Sequence, residues 1–258
     1  MEIIIYTAIF IIGTLLGSFF SLAIYRIPLK QDITHKRSYC PKCNHRLEFL
    51  DMIPILSYIF LGGKCRYCKD KIRPRYICLE VFSGVLFLLF ALALKINIYS
   101  INIDKIVYLL FGIFYIATLF IIGGIEKENH AISKPVMIFG LIVEMVYMIY
   151  LYIVNINMYK YVIYSILLIV IALINAISIK ENYTIQILNL YLYLVIGTGI
   201  KVANISIIVL LAILSILSII SNCKTKKDNK TKNDLKQPIG FYLCFINIVM
   251  LIIYNFLK

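Results

Sequence analysis

The chain has 258 residues, 62% of them hydrophobic and 15% charged, with a mean hydropathy of +0.91. A soluble domain carries about 25% charged and about 45–50% apolar residues, so a soluble globular enzyme, a disordered chain and a secreted disulfide scaffold are excluded. Lys and Arg number 26 against 13 Asp and Glu, a formal net charge of +13. With so few acids, every candidate catalytic carboxylate can be enumerated.

Apolar runs long enough to cross a bilayer, about 17–25 residues each, recur along the chain. Eight are read: Ile3–Tyr25, Ile77–Leu94, Ile106–Ile125, Val136–Val154, Val162–Ile179, Tyr183–Ile200, Val202–Ile220 and Ile239–Leu257. The sixth and seventh are the least regular, because Asn189, Lys201 and Asn204 interrupt them. The first lacks a basic leader region and is longer than the core of a signal peptide, so it reads as a retained span. The expected fold is an all-α polytopic membrane protein of about eight transmembrane helices.

Charge sets the expected orientation. Residues 26–76 hold 12 basic residues, including all six arginines, against four acids, and residues 223–238 hold six lysines. Placing both segments in the cytoplasm, with Lys127, Lys134 and Lys180, leaves five lysines outside: Lys95, Lys105, Lys160, Lys201 and Lys258. Both termini are then external. The basic loops read as membrane anchors facing anionic headgroups rather than as a nucleic-acid surface. The expected division is a first span over 1–25, a cytoplasmic cysteine domain over 26–76, and a transmembrane domain over 77–258 with a basic loop at 223–238.

Four of the seven cysteines form two CxxC pairs, Cys40/Cys43 and Cys65/Cys68, with 21 residues between them. This spacing predicts a four-sulfur structural Zn²⁺ site, and a cytoplasmic setting argues against disulfides. Lys42, Arg46, Lys64 and Arg66 are expected to favour the thiolates. His35 and His45 are near, but four sulfurs leave them no coordination position. Cys78, Cys223 and Cys244 read as ordinary membrane-helix residues.

Several motifs now fall in order: Gly17-Ser18-Phe19, Tyr25-Arg26-Ile27-Pro28, Arg37-Ser38-Tyr39-Cys40-Pro41-Lys42-Cys43, Asp51-Met52-Ile53-Pro54-Ile55-Leu56-Ser57-Tyr58, Gly63-Lys64-Cys65-Arg66-Tyr67-Cys68, and Arg75-Tyr76 through Glu80. Together they resemble the bacterial prepilin peptidase family, with Ser21 where an Asn is usual. Pro238-Ile239-Gly240-Phe241 resembles the opening of the family's last span.

The resemblance implies an aspartic peptidase with two carboxylates at the cytoplasmic membrane face, one at the end of the third span and one in a GxGD motif opening the sixth. Two carboxylates sharing a proton let one activate water while the other polarises the scissile carbonyl. By its distance to Ile132, Glu126 takes the first position, and Ser133 replaces a proline. Gly197-Thr198-Gly199-Ile200 has the look of the second motif, but topology puts it at the external end of its span. Counted from Lys180, the motif covers Thr184-Ile185-Gln186-Ile187, which has no Asp. Either way the second Asp is absent.

Asp32, Glu48, Asp51 and Asp70 belong to the cysteine domain, Asp228 and Asp234 to the basic loop, and Glu2 and Asp104 to the exterior. Of Glu80, Glu126, Glu128, Glu144 and Glu181, the last is the best surrogate partner for Glu126. The alternative is that Glu126 and Glu181 pair with Lys127 and Lys180 in solvent. Glu144 falls mid-span, where an acid is a functional candidate; the competing expectation is a protonated Glu hydrogen-bonded to a neighbouring helix, a tyrosine being one candidate partner. His130 reads as a solvated loop residue.

The resemblance implies leader cleavage and N-methylation of type IV prepilins or pseudopilins at the bacterial plasma membrane, with S-adenosylmethionine as methyl donor by resemblance alone. No Gly-rich nucleotide fingerprint accompanies it. A non-catalytic scaffold that binds prepilin within a pilus, competence or secretion machine is the alternative, and an enzyme retaining only methyl transfer is a third reading.

Overall fold

A computed structural model describes residues 2–35, 37–96, 102–154, 183–225 and 238–258, with the isolated positions 162, 163, 166, 169 and 170. The side chains of 216–225 lie outside the described set, as do the predicted fifth span apart from those positions, Glu181, and residues 226–237 of the basic loop. Among the described residues the regular structure is helical: α1 Glu2–Arg26, α2 Leu56–Phe60, α3 Arg75–Ala93, α4 Ile103–Asn129, α5 Lys134–Ile153, α6 Tyr183–Thr198, α7 Ile200–Thr225 and α8 Ile239–Leu257. Five of these (α1, α3, α4, α5 and α8) are long and apolar enough to cross a membrane. The all-helical membrane fold follows.

The chain divides into two compact units, residues 1–113 and 114–258, the division falling within α4. In the first unit α1 packs on α3 through small residues. A Cβ added at Gly17 would lie 2.8 Å from Ser83 Cβ and 2.9 Å from Glu80 Cα, and one at Gly13 would lie 2.8 Å from Gly84 Cα. Lipid tails are as apolar as the helices, so close approach of this kind, through dispersion, is what holds two membrane helices together. Phe20 and Phe87 close the same seam edge to face, with centroids 6.4 Å apart. Since the obstruction at Gly17 includes backbone, Gly17→Val is expected to cost about 3 kcal/mol, the upper end of overpacking. A thermal melt in detergent reads it.

The second unit is built on a buried layer that includes Tyr115, Leu119, Leu190, Tyr193, Leu194, Leu243 and Ile248. At its polar centre Tyr115 OH donates to Asn247 Oδ1 at 3.0 Å, and Asn247 Nδ2 donates to Thr198 Oγ1 and Ser206 Oγ, both at 3.3 Å. The sixth predicted span is shorter than expected: α6 stops at Thr198, and Gly199, at φ +84°, turns the chain directly into α7. An L side chain is strained at that backbone angle, so the glycine, not the polar residues, ends the helix. Tyr191 OH donates to Asn204 Oδ1 at 2.6 Å across the turn.

Candidate metal centre and candidate catalytic carboxylate

The two CxxC segments fold as copies of one knuckle. Asn44 N–H donates to Cys40 O at 2.8 Å and Lys69 N–H to Cys65 O at 3.1 Å; Cys40 N–H reaches His45 O and Cys65 N–H reaches Asp70 O. Leu47 N–H to Ser38 O and Ile72 N–H to Gly63 O repeat the correspondence one step out. Asn44 and Lys69 take the same left-handed backbone, at φ +55° and +59°, so each turn folds back and presents two sulfurs to one side.

The four Sγ atoms of Cys40, Cys43, Cys65 and Cys68 lie within 4.8 Å of one another, and Cys40 Sγ stands 3.8 Å from Cys68 Sγ. A tetrahedral ion with metal–sulfur bonds of about 2.3 Å has sulfur–sulfur edges of about 3.8 Å. The set can hold one such ion. Backbone N–H groups of Cys68 and then Tyr67 hold the Cys65 thiol down to about 7. At Cys68 the Asp70 backbone N–H acts in the same direction, but burial and the neighbouring thiols prevail and push it up to about 12. Lowering at Cys65 therefore comes from knuckle geometry, not from the basic side chains that sequence suggested. Arg66 instead pairs with Asp51 at 2.6 Å. Neither histidine joins the cluster: His45 stacks on Tyr67, and His35 lies beside Asp32.

Arg26, buried at the end of α1, ties this domain to the membrane helix by donating to Asp32 O at 3.0 Å and Arg37 O at 3.3 Å.

The carboxylate of Glu126 is fully buried at the end of α4. It receives Tyr183 OH, the N–H of Gly240 at 3.0 Å, and the N–H of Phe241. Tyr183 OH in turn accepts Ile239 N–H at 3.3 Å. The acid thus caps the N-terminus of α8, where unpaired amides and the helix dipole favour negative charge. Gly240 makes room for it, since a Cβ there would lie 3.0 Å from Glu126 Oε2. The expected surface pairing with Lys127 is corrected: that ammonium lies over the Phe241 ring, 4.6 Å from its centroid. Gln186, in the position counted for the second motif, accepts Ile132 N–H at 3.1 Å. Sequence reasoning missed Tyr183, Gly240 and Phe241 as partners of Glu126. The Pro238–Phe241 motif was the available signal, because a proline marks a helix start and the amides of that first turn need acceptors.

Glu144 is buried in α5, and neither carboxylate oxygen has a hydrogen-bond partner among the described residues. Among the described residues no tyrosine hydroxyl reaches it. Gly197 faces it: a Cβ there would meet Glu144 Oε1 and Tyr115 Cζ, each at 2.7 Å. The GxG-like segment thus adjoins Glu144, not Glu126. A buried acid that finds no partner among the described residues is a net cost to them. Glu144→Met, close in shape, is expected to raise stability by about 1–3 kcal/mol, read as a higher melting temperature in detergent. His130 is exposed, its N–H donating to Glu126 O at 2.8 Å.

The Bacterial Peptidase A24 N-terminal domain model matches residues 11–94. Prepilin leader peptidase/N-methyltransferase of Myxococcus xanthus (strain DK1622) is 42% identical over 79 residues, 31% of this chain and 24% of the relative. The protein of that name from Vibrio cholerae serotype O1 is 39% identical over 89 residues, 31% of this chain and 35% of the relative. The one from Klebsiella pneumoniae is 30% identical over 144 residues, 52% of this chain and 59% of the relative. The chain thus spans less than two thirds of the length of the curated relatives it matches. No solved structure matches it. Both knuckles and the small-residue seam between α1 and α3 lie within residues 11–94, and over that stretch the chain is similar to the Bacterial Peptidase A24 N-terminal domain.

Proposed function

We propose that this protein engages the N-terminal segment of type IV prepilins or pseudopilins at the cytoplasmic face of the bacterial plasma membrane, without hydrolysing it through paired carboxylates. The names of its relatives support the substrate class. The observation that carries the second part is the state of Glu126. One carboxylate, at the family's first catalytic position, accepts a phenol and two backbone amides, where the aspartic mechanism needs a second carboxylate to share its proton. Here Glu126 fixes the start of α8 rather than activating water.

Within this reading, Cys40, Cys43, Cys65 and Cys68 hold a structural Zn²⁺, which closes its own coordination sphere and takes no part in chemistry. The cysteine domain over 26–76 is cytoplasmic, both termini are external, and 77–258 forms the second, transmembrane domain; the excess of Lys and Arg in residues 26–76 supports that orientation.

A second reading is favoured by the position of Glu126 and by the sequence placement of Glu181, two residues before Tyr183. In it, Glu126 and Glu181 form a surrogate dyad that cleaves the leader, and methylation follows with S-adenosylmethionine. Mass spectrometry separates the two. Incubated in detergent with a cognate prepilin, with and without S-adenosylmethionine, the protein is expected to bind it and leave its mass unchanged. A shortened product lost in both Glu126→Gln and Glu181→Gln would establish the dyad. A product heavier by one methyl group and otherwise intact would establish methyl transfer alone.

A further inference from the structure

Between the two knuckles, residues 49–61 (FLDMIPILSYIFL) carry one acid and no Lys or Arg. The acid, Asp51, is engaged by Arg66. The apolar side chains are not folded inward: Phe60 is 83% exposed and Phe49 79%, and Leu50, Leu56 and Ile59 are each at least half exposed. Leu50, Ile53, Leu56, Phe60 and Leu61 line one shallow hollow with Arg66 on its wall. A soluble domain does not gather such a patch without a partner.

The backbone fixes where this patch sits. Ile55 N–H donates to Glu80 Oε2 at 2.8 Å, and Ile55 is held at φ +63°, a strained angle for a β-branched residue. Glu80 lies in α3 five residues past Arg75, about 7.5 Å along the helix axis, and about 4.5 Å past Ile77, where the apolar run begins. Helix side chains lean toward the helix N-terminus, which brings Ile55 to the level of the first turns of α3, the headgroup boundary of a membrane helix. At that level α3 itself exposes Val81, Phe82 and Val85, α1 exposes Tyr25, and the turn after α1 exposes Leu29. The patch continues the lipid-facing surface of the two helices. Arg46, Lys64 and Arg66 flank it in sequence, as basic residues flank segments that lie in an anionic interface.

We propose that residues 49–61 form an interfacial anchor: the Glu80–Ile55 clamp presses Phe49, Leu50, Leu56, Ile59 and Phe60 into the lipid interface, on the side of the membrane that carries the four-cysteine domain. The occupant of the patch is the bilayer, and Glu80 is a positioning residue that sets its depth.

The chain has no tryptophan, so a single introduced one reports alone. Full-length Phe60→Trp in nanodiscs containing phosphatidylglycerol is expected to emit at short wavelength. It should be quenched by lipids brominated high on the acyl chain, less by those brominated near the chain end, and weakly by aqueous acrylamide. Ile59→Trp serves the same purpose should the first variant fail to fold. Adding Glu80→Gln, which weakens the clamp, is expected to shift quenching from bromolipid toward acrylamide while helix content holds. Emission at long wavelength with acrylamide quenching and no bromolipid effect overturns the proposal. So does a blue shift that appears only on adding a prepilin N-terminal peptide, which would make the patch a peptide groove.

Discussion

Stripping the purified protein with a strong chelator is expected to unfold the cysteine domain while leaving the membrane helices intact. The domain has little to fall back on: among residues 37–72 the buried apolar or sulfur side chains are Cys40, Pro54 and Cys65, and regular structure is limited to one 3₁₀ turn, the short α2 and two isolated bridges. Structural zinc contributes about 10–16 kcal/mol in small sites of this kind, more than such a domain can replace. Metal analysis should return one zinc per chain. On chelation four thiols become titratable, and trypsin gains access at Lys42, Arg46, Lys64 and Lys69, while far-UV helix content barely changes. Cys40→Ser or Cys65→Ser is expected to reproduce the pattern without chelator. Acid acts in the same direction. The Cys65 thiol is held below its free value, to about 7, so its thiolate is stabilised above the free-thiol range and that contribution is lost as pH falls through about 7. Metal retention should weaken over that interval.

Glu126→Ala is expected to be the most damaging single change in the second unit. It removes the acceptor for Gly240 N–H, Phe241 N–H and Tyr183 OH together, and water cannot readily take its place at a fully buried position. Each buried donor left unpaired costs about 1–3 kcal/mol, so a loss of about 3–5 kcal/mol is expected once the surroundings relax. Glu126→Gln keeps one oxygen but points an NH₂ at an N–H, and should fall between alanine and the native protein. Melting temperatures in detergent give the order. If instead Glu126→Ala melts with the native protein, the capping role is wrong, and the acid is free for chemistry.

The helices were legible because membrane spans leave an unmistakable mark: long apolar runs whose ends carry the charges. Where that mark is interrupted, the reading drifted, as at Gly199, whose backbone freedom rather than polarity ends α6. The knuckles were legible because CxxC spacing is a local constraint. By contrast, the pairing of Glu126 with groups 57 and 115 positions away depends on how three helices meet, which periodicity along one helix does not encode. The depth of Glu144 in its span could likewise be counted, but which groups face it depends on the rotation of α5 against its neighbours.

The single-residue turn at Gly199 also couples the two helices it joins. With α6 ending at Thr198 and α7 beginning at Ile200, no stretch of chain between them is long enough to let one slide or rotate without the other. Tyr191 and Asn204, bonded across the turn, hold the pair together a second time. A longer linker inserted at Gly199 would leave that single hydrogen bond to keep the two helices in register.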